Sequence, residues 1–404
     1  MPHLASLVAI FLTVFCTPTM AQPEQPVVHP GADTKLPLPS FTVETVATGL
    51  EVPWAIAFLP DNRVLVTERP GRVRLVENGK LDPNPLFTVP DVVKSRGGEI
   101  GLMAICLHPD FKDNRYVYLS YGHTDKDVRV VRYTFDPAPA PLSADGAQPG
   151  DGLVEPTVIV KGIPASVNHA GCRIAFGPDK KLYVTTGEMF KRELAQDMTS
   201  LGGKTLRLND DGSIPHDNPF LGEEHVTKGV RPEIWSFGHR NPQGMDWQPG
   251  TNLMFQSEHG PSGELGRGGD EVNAVEAGKN YGWPIIHHDE SKPGLESPLV
   301  EWSPAVAPAS GVFYDGELFP DMRGNFLVGA LGGLVRAPTP GIIRVVLDGR
   351  KVVACQWLAT EYGRVREVVV GPDGAIYFTT SNRDGRGRVR EGDDKVMRLV
   401  PKKN

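Results

Sequence analysis

The amino-acid sequence predicts an all-β fold, a six-bladed β-propeller built from four-stranded antiparallel blades. The first observation behind this prediction is composition: the 404 residues include 45 glycines and 37 prolines, spread along the chain. Such a distribution favours a turn-rich β architecture over a helical one and over low-complexity disorder. The second observation is a recurring unit, in which a turn with Pro, Asp or Gly separates two short strands of alternating β-branched and aromatic residues.

The recurring unit occurs six times, and each copy predicts the inner strands of one blade. The clearest copies are AIAFLPDNRVLVTE from Ala55, IAFGPDKKLYVTTGE from Ile174 and VVVGPDGAIYFTTS from Val368. Weaker copies begin at Ala104, Met245 and Gly311. Their spacing is uneven, roughly 50 to 70 residues, so the extra length is expected in loops between strands. A pair of β-sandwiches is the alternative architecture, but it does not explain a recurring Pro-Asp turn with the same flanks.

The N-terminus predicts a secretory signal. The apolar run Leu7–Phe15 is too short to span a bilayer, and Thr19-Met20-Ala21 is a small-x-small cleavage pattern. We therefore expect a signal peptide over residues 1–21, a flexible linker over 22–40 and a single propeller domain over 41–404. The alternative, a buried N-terminal strand, is disfavoured because a Pro- and Gln-rich segment follows at once. Export places the mature protein in the periplasm of a Gram-negative source, or outside the cell, with no membrane span.

Net charge bears on nucleic-acid binding, and the number of cysteines limits the number of disulfide bonds. The net charge of −7 provides no basic footprint for nucleic acid. The mature chain keeps Cys106, Cys172 and Cys355, an odd number that permits at most one disulfide. All three lie in apolar, strand-like contexts, which favours buried free thiols.

The stretch from Glu233 to Pro284 predicts a functional site. Polar and charged side chains lie here among glycines and prolines, on backbone that cannot be regular helix, and such loops commonly carry binding or catalytic residues. Pro242 biases Asn241 toward extended geometry. The adjacent Arg240 suits a bidentate contact to an anion or the stabilisation of a developing oxyanion. A buried ion pair between blades is the alternative interpretation of this arginine.

Acidic and glycine-rich loops in the same stretch predict a hard-cation site. Glu258-His259-Gly260-Pro261, Gly269-Asp270-Glu271 and Asn280-Tyr281-Gly282 combine carboxylates with exposed backbone carbonyls. Calcium prefers oxygen ligands of this kind and tolerates irregular geometry. No His pair or Cys cluster has zinc spacing, so a transition metal is not expected. The alternative is an acidic loop that binds no metal.

Candidate residues also lie in other repeat units. His169 stands among small residues before the third unit, where an accessible imidazole could accept a proton; a structural hydrogen bond is the alternative. Arg364 and Arg366 alternate along a strand, so both guanidinium groups share one face and could hold a polyanion; a solvated edge is the alternative. Glu99, among glycines, is a candidate either for a hydrogen bond to a ligand or for a turn cap.

Taken together, the motifs resemble one known family. The chain is similar to the soluble quinoprotein sugar dehydrogenases, the PQQ-dependent aldose sugar dehydrogenases, over nearly the whole mature chain. The most specific motifs are Gly238-His239-Arg240-Asn241-Pro242-Gln243-Gly244, Glu258-His259-Gly260-Pro261, Asn280-Tyr281-Gly282-Trp283-Pro284, and Leu208-Asn209 with Asp211-Gly212-Ser213-Ile214-Pro215. The family is a six-bladed propeller, in agreement with the repeat count.

The resemblance implies a cofactor and roles for the candidate residues. PQQ is a tricarboxylate o-quinone, so its site should offer cations and a divalent metal. The positions that match the family's PQQ-binding residues are Glu99, His169, Arg240, Asn241, Arg364 and Arg366. The carbonyls of Gly260 and Pro261 match ligands of the calcium that also holds PQQ, and Glu271 and Tyr281 match a second, structural calcium.

The resemblance also implies a reaction. His169 would take the proton from the C1 hydroxyl of an aldose while hydride passes to the quinone, and calcium and Arg240 would stabilise the developing charge. The product would be a lactone, with the electrons leaving to an unidentified acceptor. Two other functions stay open on the sequence: a calcium-dependent lactone hydrolase, which the clustered arginines argue against, and a non-catalytic propeller that binds a sugar or a protein.

The chain departs from the family pattern in two places. Many relatives carry a lysine near the position where this chain reads Ala330-Leu331-Gly332-Gly333, and Arg336 is the nearest basic residue. The loop between Pro261 and Gly268 is longer than the usual Gly-Pro-Arg-Gly-Gly-Asp-Glu form. Either departure could change the affinity for PQQ or the sugars that fit.

Overall fold

Antiparallel sheets account for most of the chain in a computed structural model, which describes residues 36–93, 95, 97–124, 127–136, 152–332 and 340–403. Within these ranges there are six sheets, each made of strands that are consecutive in sequence apart from one exchange between the chain ends. The predicted six-bladed propeller is confirmed. The predicted signal peptide and most of the predicted linker lie outside the described residues, so both stay predictions.

The first three blades follow one another along the chain after a single separate strand, β1 (Phe41–Ala47). Blade I contains β2 (Pro53–Phe58), β3 (Val64–Glu68), β4 (Arg72–Glu77), β5 (Lys80–Leu81) and β6 (Phe87–Thr88). Blade II contains β7 (Leu102–Leu107), β8 (Tyr116–Thr124), β9 (Asp127–Phe135) and β10 (Leu153–Pro164). Blade III contains β11 (Ile174–Phe176), β12 (Leu182–Thr185), β13 (Lys204–Leu208) and β14 (Ile234–Phe237).

The remaining blades complete the order. Blade IV contains β15 (Pro242–Trp247), β16 (Met254–Glu258), β17 (Asp270–Val275) and β18 (Val300–Trp302). Blade V contains β19 (Pro308–Phe313), β20 (Phe326–Ala330), β21 (Gly341–Asp348) and β22 (Lys351–Leu358). Blade VI contains β23 (Val365–Val370), β24 (Ile376–Thr380), β25 (Val396–Pro401) and, as its outer strand, β1. The helical segments are short: α1 (Phe111–Asn114), α2 (Glu223–Thr227) and 3₁₀ turns at Arg192–Ala195, Pro320–Met322 and Thr360–Tyr362.

The blades close into a ring. The first strands of neighbouring blades contact one another all the way round, in the order β2, β7, β11, β15, β19, β23 and back to β2. They therefore form the inner wall. The N-terminal strand β1 pairs antiparallel with β25, with Phe41 opposite Pro401 and Thr45 opposite Met397. The two ends of the chain thus share blade VI, a closure that the repeat count did not predict.

The Pro-Asp turn recurs because of its backbone geometry. The residue after the aspartate is left-handed in all three clear copies, with φ values of +70° at Asn62, +58° at Lys180 and +77° at Gly374. The aspartate Oδ1 accepts the backbone N–H two residues further on, at 3.1 Å in each copy. This is an Asx-turn, in which the side chain replaces a backbone acceptor and joins the two strands tightly.

Blade I differs from the prediction of four strands per blade. Its outer edge is split into β5 and β6, and both short strands pair with β4. The break contains Pro83 and Pro85, which cannot donate a ladder hydrogen bond. The Arg74 Nη2 group crosses the break and donates to the carbonyl of Asp82 at 2.7 Å.

The described part of the chain shows the state of three cysteines and whether any helix could span a membrane. Cys106, Cys172 and Cys355 are free thiols there, as expected, and burial raises the pKa of Cys172 and of Cys355 to about 12. These thiols are packing residues. Within the described ranges, we find no helix long and apolar enough to cross a membrane.

Candidate active site

The predicted catalytic and cofactor-binding residues collect at the entrances to the inner strands. Glu99 precedes β7, His169 precedes β11, Arg240 and Asn241 directly precede β15, and Arg364 and Arg366 flank the start of β23. Because those strands line the ring, equivalent positions in blades II, III, IV and VI meet at one end of it. Residues distant in sequence are thereby brought to a common centre.

Glu99 joins three blades at this centre. Its Oε2 accepts the backbone N–H of His169 and the side-chain amide of Asn241, both at 3.0 Å. The Oδ1 atom of Asn241 in turn accepts the N–H of Gly171 at 3.1 Å. Burial acts to raise the pKa of Glu99, but positive charges around it, among them those of His169 and Arg366, and the Asn241 hydrogen bond outweigh it, so the pKa lies below its usual value. Glu99 is therefore an ionised anchor for the segments that carry His169 and Asn241.

His169 has one engaged and one free ring nitrogen. Its Nδ1 lies 3.0 Å from Glu188 Oε2, which makes Nδ1 the protonated nitrogen and leaves the lone pair on Nε2. Nε2 has no hydrogen-bond partner among the described residues. The Phe190 ring stacks on the imidazole with 3.8 Å between centroids and an angle of 29°. A β-carbon at Gly187 would overlap the His169 carbonyl, so only glycine fits beside it.

A second His–Glu pair in the next blade shows the contrast. His239 Nδ1 lies 3.0 Å from Glu258 Oε2, and its Nε2 lies 2.9 Å from Ser236 Oγ. The ring is completely buried and stacks on Tyr281, with centroids 4.7 Å apart. Both nitrogens of His239 are used, so this histidine is structural.

Arg240 is held by its backbone and by its guanidinium group. Its N–H donates to Glu258 Oε1, the oxygen that also accepts the Asn241 N–H at 3.3 Å. Its Nη1 donates to the His259 carbonyl at 3.1 Å, and its Nη2 to Glu264 Oε1 at 3.1 Å. Glu258 thus fixes the backbone of Arg240 and Asn241 directly before Pro242, and the guanidinium group lies beside His259.

Arg364 and Arg366 have different surroundings. Arg366 Nη1 donates to Gln243 Oε1 at 3.1 Å; burial lowers the pKa of this arginine to about 10, against the opposing charges of Asp384 and Glu99. Arg364 pairs with Asp384 at 2.8 Å and donates to the Leu331 carbonyl at 2.6 Å. Arg366 is the more available of the two, and Arg364 supports the loop after β20. Arg336, the basic residue nearest the absent lysine, lies outside the described residues.

Several buried polar atoms around the centre lack a hydrogen-bond partner within the described part of the chain. They include Arg240 Nε, Arg366 Nε, Gln243 Nε2, His259 Nε2 and Glu188 Oε1. A buried unpaired polar group costs about 1–3 kcal/mol, so a cluster of them indicates a missing polar ligand or water. Three of these atoms, on two arginines and a glutamine, are donors. The centre therefore fits a ligand rich in acceptor oxygens and carrying negative charge.

His259 cannot replace His169 as a base. Its Nε2 atom is buried, and burial, together with the positive charges of Arg240 and Arg366, lowers its pKa to about 3 despite the opposing charge of Glu99. An imidazole with so low a pKa takes up no proton near neutral pH, so His259 is not a general base.

The predicted cation ligands surround a cavity of ≈ 10 Å³, enough for one ion or water. Its lining includes Glu258, Gly260, Pro261, Glu271 and Tyr281. The Tyr281 hydroxyl donates to the Ala274 carbonyl at 2.7 Å, so the donor that this residue could offer a metal is its backbone carbonyl.

Carboxylates crowd the strands beside this cavity. Glu258, Glu271 and Glu301 stand opposite one another across β16, β17 and β18. Like charges in such register are destabilising. Burial, followed by the charges of Glu258, Glu301 and Asp270, raises the pKa of Glu271 well above its usual value. A cation would relieve this repulsion, although the described side chains include no group of three or more His, Cys, Asp or Glu arranged as metal ligands.

Sequence reasoning missed residues that the geometry makes prominent: Glu188, Phe190, Gln243, Glu264 and Asp384. A signal for Glu188 was present, because a glutamate lies at or just after the end of the second strand in three blades, at Glu68, Glu188 and Glu258. His169 and Glu188 also have the same sequence separation as His239 and Glu258. For Glu264 no such signal exists, because its loop has no counterpart in the repeat.

Comparison with known proteins finds relatives that are named as sugar dehydrogenases. The profile of the family described as Glucose / Sorbosone dehydrogenase matches residues 50–390. The chain is 36% identical over 366 residues to Aldose sugar dehydrogenase YliI of Escherichia coli (strain K12), covering 86% of this chain and 91% of that protein. It is 32% identical over 313 residues to Quinoprotein glucose dehydrogenase B of Acinetobacter calcoaceticus, covering 70% and 60%. The PQQ-bound aldose sugar dehydrogenase of Streptomyces coelicolor has a similar structure, with a TM-score of 0.75, 34% identity and coverage of 90% and 99%.

Proposed function

The chain belongs to the glucose/sorbosone dehydrogenase family, and on that premise we propose that it oxidises the C1 hydroxyl of aldose sugars to lactones with PQQ and calcium. Family membership makes it an oxidoreductase of the sugar dehydrogenase type; cofactor, metal and proton acceptor are the proposed refinements. The observation that carries the proposal is His169, whose Nε2 is free at the ring centre while Nδ1 is fixed by Glu188.

Proton transfer is the step that the chain's own residues perform. His169 Nε2 accepts the proton of the C1 hydroxyl, and the Glu188 carboxylate stabilises the imidazolium that results. PQQ, when bound, supplies an o-quinone that accepts the hydride from C1, so proton and electron pair leave the sugar to different acceptors. Phe190 covers one face of the imidazole, which leaves approach in the ring plane to the hydroxyl.

The unpaired donors around the ring centre support an anionic cofactor. Arg240, Asn241 and Arg366 would hold its carboxylates and carbonyl oxygens, with Glu99 as the anchor behind them and Arg364 at the adjoining loop. Arg240 would also stabilise negative charge that develops on the acceptor.

Calcium is proposed at the carbonyls of Gly260 and Pro261, with a second ion at Glu271 and the Tyr281 carbonyl. The crowded carboxylates and the ion-sized cavity support a cation in this region. We also propose export to the periplasm, on the apolar run and cleavage pattern at the N-terminus, and transfer of the electrons to an acceptor yet to be identified.

The test is reconstitution of purified protein with PQQ and calcium, followed by dye reduction with aldoses. His169→Ala should lower turnover about 100-fold or more, since general-base catalysis contributes that much, while PQQ still binds. His225→Ala, a partly exposed histidine paired with Glu224, is the matched control and should leave turnover unchanged.

If His169→Ala with PQQ bound keeps its turnover, His169 is not the general base. Lactone hydrolysis without PQQ would favour the hydrolase instead, and binding without turnover would favour a non-catalytic propeller.

A further inference from the structure

One acidic side chain bridges two arginines above the candidate site. Glu264 lies on the long loop between Pro261 and Gly268. Its Oε1 accepts from Arg240 Nη2 at 3.1 Å, and its Oε2 accepts from Arg192 Nη2 at 2.8 Å and Arg192 Nε at 3.1 Å. Each carboxylate oxygen is thus engaged by a different guanidinium group. Burial acts to raise the pKa of Glu264, but the two arginines outweigh it and hold the pKa below its usual value.

The two arginines lie on anchored segments, and the loop is the exposed partner. Both guanidinium groups lie over the Trp283 ring, each 5.5 Å from its centroid. Arg192 begins a 3₁₀ turn whose last carbonyl, at Ala195, accepts the Gly238 N–H at 3.0 Å. Residues 262–267 of the loop are all exposed. Movement between these parts would therefore fall on the loop that carries Glu264.

In the same loop conformation, the carbonyl of Pro261, a proposed calcium ligand, is occupied by hydrogen bonds. The Pro261 carbonyl accepts the N–H groups of Glu264 and Leu265 at 2.9 and 3.0 Å. A carbonyl oxygen has two lone pairs, and this turn uses both. The Pro261 carbonyl can bind a cation well only when the turn opens.

We propose that Glu264 is an internal counter-ion that occupies Arg240 and Arg192 in the cofactor-free protein and is displaced by the carboxylates of the incoming cofactor. Displacement opens the Pro261–Gly268 loop and frees the Pro261 carbonyl for calcium. The inference rests on the proposed function, because it takes PQQ as the anion. It assigns Glu264 a role in setting cofactor affinity.

The size of the effect follows from the strength of partly exposed ion pairs. Arg240 is almost buried, but the Glu264 and Arg192 side chains are 26% and 41% exposed. If the closed loop excludes the cofactor, only the open fraction of the protein can bind it. The apparent dissociation constant is then the intrinsic constant divided by that open fraction. Exposed pairs contribute little each, so removing the carboxylate should strengthen PQQ binding about 3- to 10-fold.

The experiment measures PQQ binding in the absence of sugar. Stopped-flow quenching of tryptophan fluorescence, with calcium present, gives the association rate and the dissociation constant. Glu264→Gln keeps the size of the side chain and removes its charge; we expect faster association and a dissociation constant about 3- to 10-fold lower. Glu44→Gln, which removes a comparable Glu–Arg pair on the outer strand of blade VI, should change neither value.

Trypsin cleavage after Arg267 reports the loop itself. PQQ with calcium should accelerate this cleavage in the wild-type protein, and Glu264→Gln should be cleaved at the faster rate without PQQ.

The outcomes separate the two proposals. Unchanged PQQ binding in Glu264→Gln would overturn the inference and leave the proposed function standing. Weaker binding would also overturn it, by showing that Glu264 orients the arginines for the cofactor. A wild-type protein that binds no PQQ would remove both.

Discussion

The side chain of Glu188 makes two contacts that bear on the chemistry. Its Oε2 receives His169 Nδ1 and also the backbone N–H of Phe190, so one atom holds both the imidazole and the ring stacked on it. Met189 and Phe190 are left-handed, with φ values of +52° and +62°. Non-glycine residues adopt this conformation at a cost and usually where surrounding contacts enforce it. Here the enforcing contact is the carboxylate.

Glu188→Gln should therefore slow turnover and leave cofactor binding intact. The glutamine oxygen can still accept from Nδ1, but it carries no charge to stabilise the imidazolium. A hydrogen bond to a charged group contributes about 1.5–3 kcal/mol, so kcat should fall about 10- to 100-fold while KM changes little. Steady-state kinetics on the PQQ-loaded protein checks this; a kcat within twofold of wild type would contradict it.

At this scale the sequence predicts residue types better than partners. His169 and Arg240 stand out because their loops are rich in glycine and proline. Their partners Glu188 and Glu264 are brought in by the fold, and a carboxylate in sequence says nothing about which cation it will meet. For Glu188 the available hint was the repeat, in which His239 and Glu258 have the same sequence separation as His169 and Glu188.

Among the elements, the 3₁₀ turn at Arg192–Ala195 is anchored by an unusual buried cation. Lys204, at the start of β13, is completely buried, and its Nζ donates to the carbonyls of Leu194, Ala195 and Gly202 at 2.6, 3.2 and 2.7 Å. An ammonium group has three donors, and all are satisfied. Burial lowers the pKa of Lys204 to about 7.

Lys204→Met should destabilise the protein by about 3 kcal/mol or more, because three buried carbonyls lose their donor. The unfolded lysine keeps a pKa near 10.4, so the unfolded state binds more protons between about pH 7 and 10.4. The free energy of unfolding of the wild type should therefore gain a rising contribution across that window, which the variant lacks. Urea unfolding at pH 7 and 9 measures both effects, with the exposed Lys279→Met as control.

The control should lie within about 0.5 kcal/mol of the wild type. Equal stability of Lys204→Met and wild type would show that the turn needs no internal cation.

The blades could be predicted from the sequence because the turn between their strands is formed by residues that are neighbours in sequence. The Asx-turn after Pro-Asp depends on neighbours in sequence, so it appears as a repeat. The divided edge of blade I has the same kind of cause, in the prolines between β5 and β6. The 3₁₀ turn at Arg192 was not predicted, because its support comes from the side chain of Lys204, at the start of the following strand, and no sequence pattern shows which carbonyls that side chain will meet.

For the whole molecule, closure through β1 and β25 determines whether the ring holds together. Without β1 the edge of β25 would expose unpaired backbone groups, a site for aggregation. A chain that begins at Thr48 should therefore unfold at a midpoint lower by roughly 10 °C or more than a chain that begins at Leu36. Thermal unfolding followed by circular dichroism tests this. Equal midpoints would mean that blade VI is stable with three strands.

The number of blades could be counted from the sequence, but their closure could not. Each repeat unit reports a local hairpin, whereas the pairing of β1 with β25 depends on residues at opposite ends of the chain. The meeting of Glu99, His169, Asn241 and Arg366 is a consequence of that ring, and the resemblance to known relatives anticipated it where spacing alone did not.

The pairing of β1 with β25 also determines when, during synthesis and folding, the ring of blades can close. Glu44 and Arg398, which face each other across this pair, are 354 residues apart. A contact of that span carries a large loop-closure entropy and is expected late in folding. A chain emerging from a ribosome has its first strand long before the partner exists. The ring therefore stays open until synthesis ends, and this late closure would favour a polypeptide that is threaded through a membrane channel before its fold is complete.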